Sequence, residues 1–375
     1  MTQLQKITVK GFKSIHSLVD FEMRSLNVLI GANGAGKSNF ISVFRFLAAL
    51  TGDNFPVDVQ NWGGPDALLH YGRKVTDAME FEVYFAPEGG VANGYKVTLA
   101  PTQDNRLIFT REQSWISGRF EASYSLGAGH DVAKVTSDDQ DRSKNVSRYV
   151  ASKLKVWRQY HFHDTGEKAA VKQVHQANDT LRLKPDAANL AAYLRKLKTK
   201  PFWESSYQRI VETIRLAAPF FGDFVIRDDE PDGVAQTTVE LEWTERGRPD
   251  TPWKAHVLSD GTLRFICLAT LLLQPPQLMP DIILIDEPEL GLHPYAINLL
   301  AQMLKRAAET KQVIVSTQSV ELLNAMSPED VVVAGRDNGA TTLKRLDPAD
   351  LTDWLEDYSL GELWKRNVLG GRPTR

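Results

Sequence analysis

The eight residues GANGAGKS, Gly31 to Ser38, decide how the rest of the chain is read. A glycine, four residues and then Gly-Lys-Ser is the pattern of a phosphate-binding loop. The surroundings fit it: the apolar run SLNVLIG precedes the loop as a strand, and SNFISVFRFLAAL follows with Phe40, Val43, Phe44 and Leu47 at helical spacing. Glycines let successive backbone N–H groups face a phosphate, so Asn33, Gly34, Ala35 and Gly36 are candidate cradle residues. Lys37 is placed to neutralise β- and γ-phosphate charge, and the Ser38 hydroxyl to ligate Mg2+. The plainer reading is an ordinary glycine-rich turn, and the order strand, loop, helix argues against it.

A second stretch, DIILIDEPE, supports the first. Ile282 to Ile285 form an apolar strand that ends abruptly in Asp286, Glu287, Pro288 and Glu289. Acids at the end of a buried strand are costly unless they have a task. Beside a phosphate loop, Asp286 is the candidate for the Mg2+ shell and Glu287 for polarising an attacking water.

Outward from these two stretches, LQKITVKGF, AMEFEVYFA, GYKVTLA and RLIFTREQSWI read as strands of a β-rich lobe. From TTVELEW onward, strands alternate with helices over Thr262–Leu273 and Pro294–Ala308, then QVIVST, which predicts a parallel sheet covered by helices. Residues 120 to 145 are polar and aperiodic and read as a mobile connection. The segment Arg142–Arg215 holds 16 Lys plus Arg against 6 Asp plus Glu, a local +10 in a chain of net charge −3. Its stretches ANLAAYLRKL and YQRIVETIRLAAPF have helical periodicity, interleaved with Trp157, Tyr160, Tyr193, Phe202, Trp203 and Tyr207. Such a segment suits a nucleic-acid backbone, an acidic partner protein, or a solvated helical face over an aromatic core. The expected division is 1–125, an N-terminal lobe with the phosphate loop; 126–230, a basic, mainly helical insertion; and 231–375, the lobe with the acids. No heptad pattern persists long enough for a coiled-coil arm.

A chain of 375 residues, 42% of them apolar, can bury a large core. Its single cysteine, Cys267, lies in an apolar run and reads as a buried small hydrophobe. There is no secretory h-region at the start, and the apolar run FICLATLLL is about half the roughly 18 residues of a membrane span. A cytoplasmic protein without membrane contact is expected.

Together with VLSDGTLR (Val257–Arg264), ELGLHP (Glu289–Pro294) and VIVSTQS (Val313–Ser319), the two motifs resemble the head of ABC-type ATPases, in the SMC, RecF and OLD-like branch. The resemblance implies an α/β P-loop ATPase head, a parallel sheet covered by helices plus an antiparallel β lobe. It implies ATP and Mg2+ as cofactors, and a homodimer in which Ser259, Asp260 and Gly261 of one copy close on the nucleotide of the other. It also implies Gln318 as the catalytic switch residue and Lys13 as a basic residue near the nucleotide. Two positions depart from the family pattern. The signature reads Ser-Asp-Gly rather than Ser-Gly-Gly, placing the acid Asp260 near phosphate. Gln318 stands where many members have histidine, and an amide can donate a hydrogen bond but cannot become cationic. Slow, regulated hydrolysis is therefore expected.

Neither Gln60 nor Gln113 stands out as the glutamine of the family's Q-loop. The stretches YHFHDTG, DAANLAAYLRKL and WLEDYSLGELWKRNVLGGRP resemble a group of standalone ATPases of this branch. His161, His163 and Asp164 read as a structural or interface group rather than a metal cluster, with both histidines on one face. Related OLD-like proteins carry a nuclease domain that this sequence does not show, so a separately encoded nuclease or effector, as in bacterial phage-defence pairs, is the expected partner. The alternatives are an ATPase of DNA repair or recombination and, less favoured, a transporter motor.

Overall fold

The computed structural model describes residues 3–52, 54–119, 121–136, 143–227 and 237–371. Among these, the phosphate loop lies at the end of one strand of a six-stranded sheet. Its order is Ala340–Arg345, Val331–Asp337, Leu26–Ile30, Gln312–Ser316, Ile282–Asp286, Arg158–Tyr160. Neighbours run parallel except in the hairpin formed by the first two. Leu26–Ile30 and Gln312–Ser316 are buried at every position, as strands covered on both faces must be. Val28, Ile30, Ile283, Ile285, Val313 and Val315 pack toward the helices Leu190–Thr199, Glu204–Ala217, Asp260–Leu273 and Pro294–Ala308. Leu29, Ile282, Leu284 and Ile314 face the opposite way, toward the helix Lys37–Leu50 and a second sheet.

That second sheet is antiparallel, in the order Ile15–Glu22, Leu4–Phe12, Met79–Phe85, Val91–Pro101, Leu107–Gly118, Ala122–Gly127. Strict alternation of buried and half-buried residues along Met79–Phe85 gives it an apolar face. Phe81 stacks on Phe46 of the Lys37–Leu50 helix at 4.9 Å between ring centroids, fixing the lobe to the element that begins at the phosphate loop.

The segment 126–230 does not stand apart as an insertion. Its strand Arg158–Tyr160 closes the phosphate-loop sheet against Ile283–Ile285, and its two later helices share one core with the Asp260–Leu273 helix. It is also less helical than its periodicity suggested, because residues 161–189 hold only a short turn at Ala170–Lys172 and a two-residue strand at His175–Gln176. Trp157, Tyr160, Tyr193 and Tyr207 are buried in the core, while Phe202 is 80% exposed. Many of the basic side chains have partners within the fold. Lys153 bonds Asp281, Lys198 bonds Asp223, Lys184 pairs with Asp179, and Lys196 and Arg215 hold backbone carbonyls.

Part of the aperiodic stretch is ordered as the strand Ala122–Gly127, and residues 137–142 lie outside the described ones. The run TTVELEW is divided between two small sheets, Thr238–Val239 pairing with His175–Gln176 and Glu242–Glu245 with Phe221–Phe224. Cys267 is buried, which pushes its thiol up to about 12. No helix of the described residues is long and apolar enough to cross a membrane.

Candidate nucleotide site

The phosphate loop is shaped from behind by the Ala340–Arg345 hairpin strand. Thr341 donates through Oγ1 to the Ala35 carbonyl at 3.0 Å and shares a 2.7 Å hydrogen bond with the Ser14 hydroxyl, to which Asn39 Nδ2 donates at 2.7 Å. The close approach explains Gly36, which has φ +103° and whose Cβ would fall 1.9 Å from Thr341 Oγ1. Gly36 caps the Lys37–Leu50 helix with no side-chain hydrogen bond, leaving the first N–H groups of the helix to an anion. Lys37 is buried and turns its Nζ back to the carbonyls of Gly31 at 2.7 Å and Ala32 at 3.1 Å. Burial pulls its ammonium below the ordinary lysine range, against the opposing pull of Glu287, Asp286 and Glu289.

The acids converge on the same place. Ser38 Oγ donates to Asp286 Oδ2 at 3.2 Å, and the Ser316 hydroxyl bonds the other carboxylate oxygen. One hydroxyl and one carboxylate at the end of the loop form a hard oxygen donor pair that fits Mg2+. Glu287 has φ +43°, a left-handed conformation that costs a non-glycine residue about 1 kcal/mol and turns the side chain out of the strand direction. Its N–H continues the sheet to the Ser316 carbonyl at 2.9 Å, and its carboxylate accepts from Gln318 Nε2. Glu289 Oε1 accepts from the Thr317 hydroxyl and the Gln318 N–H, whereas Oε2 is buried with no partner among the described residues. Burial raises its carboxyl above the usual carboxylate range.

Lys13 precedes Ser14, whose hydroxyl meets Thr341 and Asn39 behind the loop. It lines an open pocket of about 880 Å3 with Ser14, Asn39, Tyr71, Arg73 and Arg336. Its backbone is also left-handed, at φ +49°, and burial together with Arg45 lowers its ammonium.

Ser259 and Gly261 lie at a different pocket, of about 140 Å3, shared with Gly291 and His293, whose lining does not include Asp260. Ser259 caps the Asp260–Leu273 helix by accepting from Thr262 N–H, and a Cβ on Gly261 would fall 2.3 Å from the Gly291 carbonyl. The charge of Asp260 has a neighbour the sequence did not reveal: Lys172 Nζ, 4.0 Å away and buried, anchored on the Thr165 carbonyl. Arg264, one turn into the helix, is buried and binds three carbonyls. They are Phe162 at 3.0 Å, His163 at 3.2 Å, and Leu290.

Those bonds lead to two residues with a place beside the site. The strand Arg158–Tyr160 pairs with Ile283–Ile285, so the chain leaves the sheet alongside Asp286, and His163 Nε2 lies 2.9 Å from the Asp286 carbonyl. Phe162 is buried, whereas His161 is exposed and His163 half-buried with their rings 6.5 Å apart, and partial desolvation holds the His161 imidazolium below the ordinary range. No group of three metal-ligating side chains occurs among the described residues. Gln60 bonds the Asn105 carbonyl, and Gln113 accepts from Arg111 within the β lobe, so neither has a role beside Asp286. Only the parallel register of a three-residue strand exposes the histidines' position. No motif in the sequence marks it.

A family model described as "AAA domain, putative AbiEii toxin, Type IV TA system" matches residues 26–324, from the strand before the phosphate loop to the helix after Gln318. The chain belongs to the AAA_21 family. Solved structures similar to this AAA_21 chain include an Smc head bound to the C-winged helix domain of ScpA. It has a TM-score of 0.58 at 15% identity and covers 93% of this chain and 99% of that one. A second is an Smc head with an extended coiled coil from Pyrococcus furiosus, bound to the C-terminal domain of ScpA, with TM-score 0.57, 15% identity, and coverage of 95% and 99%. The fold is thus that of an ABC-type P-loop ATPase head of the SMC and RecF-like branch. A putative ABC transporter ATP-binding protein from Methanosarcina acetivorans is 33% identical over 79 residues, 21% of this chain. The match spans 27% of that relative's length.

Proposed function

We propose that this AAA_21 chain is an ATP-hydrolysing switch whose working unit is two copies closed around ATP. The observation that carries the reading is the meeting of Ser38 with Asp286 and of Glu287 with Gln318 at the ends of neighbouring strands. Ser38 and Asp286 would hold Mg2+, which when bound supplies Lewis-acid polarisation of phosphate oxygens. Lys37 exchanges the carbonyls of Gly31 and Ala32 for β- and γ-phosphate oxygens, and Asn33, Gly34, Ala35 and Gly36 offer backbone N–H groups. Glu287 orients the attacking water and Gln318 holds the Glu287 carboxylate. Ser259 and Gly261 line a separate pocket, which supports the segment Ser259 to Gly261 acting on the nucleotide of the second copy. The neutral switch amide and the acid Asp260 favour slow, regulated turnover.

The biological setting we propose is phage defence with a separately encoded nuclease or effector, a reading supported by analogy with the family's description. A protein partner is favoured over nucleic acid, because so many basic side chains of residues 142–215 are engaged within the fold. The deciding experiment is size-exclusion chromatography with light scattering on the Glu287→Gln protein, with and without ATP and Mg2+, beside phosphate release by the wild type. Dimerisation only with ATP, and measurable phosphate release, are expected; a monomer at saturating ATP would rule out the closed pair. DNA binding that weakens steeply with salt would restore nucleic acid as the partner.

A further inference from the structure

The strand Gln312–Ser316 leads through Gln318 into the short helix Val320–Asn324, and a second helix, Leu360–Lys365, packs on it. The fit is close. Gly361 N–H donates to Asn324 Oδ1 at 2.7 Å, a Cβ on Gly361 would fall 2.5 Å from Val320 Cγ1, and Leu360 and Leu363 are buried. The capping box between Ser359 and Glu362 fixes where this helix starts.

Beyond it the chain turns back on itself. Val368 N–H reaches the Leu363 carbonyl at 2.9 Å, Leu369 packs against the core, and the Gly371 carbonyl accepts the Ala32 N–H at 3.0 Å. Ala32 is the second residue of the phosphate loop. Gly371 has φ +83°, and a Cβ there would lie 2.9 Å from Val333 Cγ1, 3.2 Å from the Ala334 carbonyl oxygen and 3.5 Å from Gly31 Cα. Gly31 is itself confined, since its own Cβ would fall 2.3 Å from the same Ala334 oxygen. Two glycines therefore meet at the root of the loop, where a Cβ on Gly371 would press on Val333 and Ala334 and a Cβ on Gly31 would collide with the Ala334 carbonyl.

We propose that Leu360–Gly371 is a positioning strap that joins the helix after Gln318 to the root of the phosphate loop and holds the loop in its cradle shape. Gly371 is a positioning residue and touches no phosphate. The inference rests on the reading of Gly31–Ser38 as the ATP site. A loop that loses its strap spends part of its time in other shapes, and apparent affinity falls in proportion to the fraction still competent to bind. Movement at the switch helix would reach the phosphate loop through the same segment.

The test compares wild type with Gly371→Ala and Gly371→Val, using methylanthraniloyl-ATP with Mg2+ as the probe, and thermal unfolding without nucleotide as the control. The valine variant is expected to bind about tenfold more weakly and the alanine variant less so, with nucleotide-free unfolding as in wild type. In hydrolysis KM rises and kcat at saturation holds, because Glu287 and Gln318 are untouched. Equal affinity of valine variant and wild type, or a fall in kcat at unchanged KM, would overturn the strap. If nucleotide-free unfolding shifts in the valine variant, the alanine variant decides by the same criterion. A wild type that binds no probe would overturn the ATP reading, and the strap with it.

Discussion

Gln318 donates from its side-chain nitrogen to the Glu287 carboxylate at 2.5 Å, joining the ends of two adjacent parallel strands. The bond fixes the orientation of the acid without adding charge. Gln318→Ala is expected to lower kcat while leaving nucleotide affinity within about twofold, because the lost contact positions a water and not a phosphate. Single-turnover phosphate release and equilibrium binding together check this.

Glu287→Gln keeps the shape of the site and removes the base. Turnover is expected to fall by about 100-fold to 10,000-fold with nucleotide binding retained. Unchanged phosphate release would remove Glu287 from its assigned role.

Arg264 ties the helix behind Asp260 to the carbonyls of Phe162, His163 and Leu290. Arg264→Ala leaves these groups without their donor and is expected to cost about 2–4 kcal/mol of stability. Arg264→Lys should recover only part of the loss, since an ammonium does not reproduce the guanidinium fork. Denaturant unfolding measures both.

Glu289 gives a pH prediction. Burial raises its carboxyl in the folded state, so between the unfolded and folded values the native chain holds more protons. Its contribution to stability is therefore full below the ordinary carboxylate value and is lost as pH rises through the raised one. Glu289→Gln keeps an acceptor for Thr317 and Gln318 N–H and removes the charge. The variant should melt higher than wild type at neutral pH, with the gap closing on acidification; a gap constant with pH would contradict the assignment.

The elements with their own chemistry were legible in the chain. Gly31–Ser38 is defined by local backbone demands, and Ile282–Ile285 is an apolar run with no polar face to mislead. The strand Ile15–Glu22 was not seen, because most of its residues are exposed or half-buried and its pattern is weak. The contacts of His163 and Arg264 were not legible for a different reason. Their partners are backbone carbonyls of distant residues, and a carbonyl has no sequence signature. The charge count of residues 142–215 is likewise silent on partners within the fold, since counting does not show that Lys198 meets Asp223.

The place of Leu26–Ile30 in its sheet has a consequence for biosynthesis. Both strands that flank it leave the ribosome roughly 290–305 residues later, so it must wait, apolar at every position but Asn27, through most of translation. Until then its edges are open to wrong pairing, and the nascent chain is most prone to aggregate just before Gln312–Ser316 emerges.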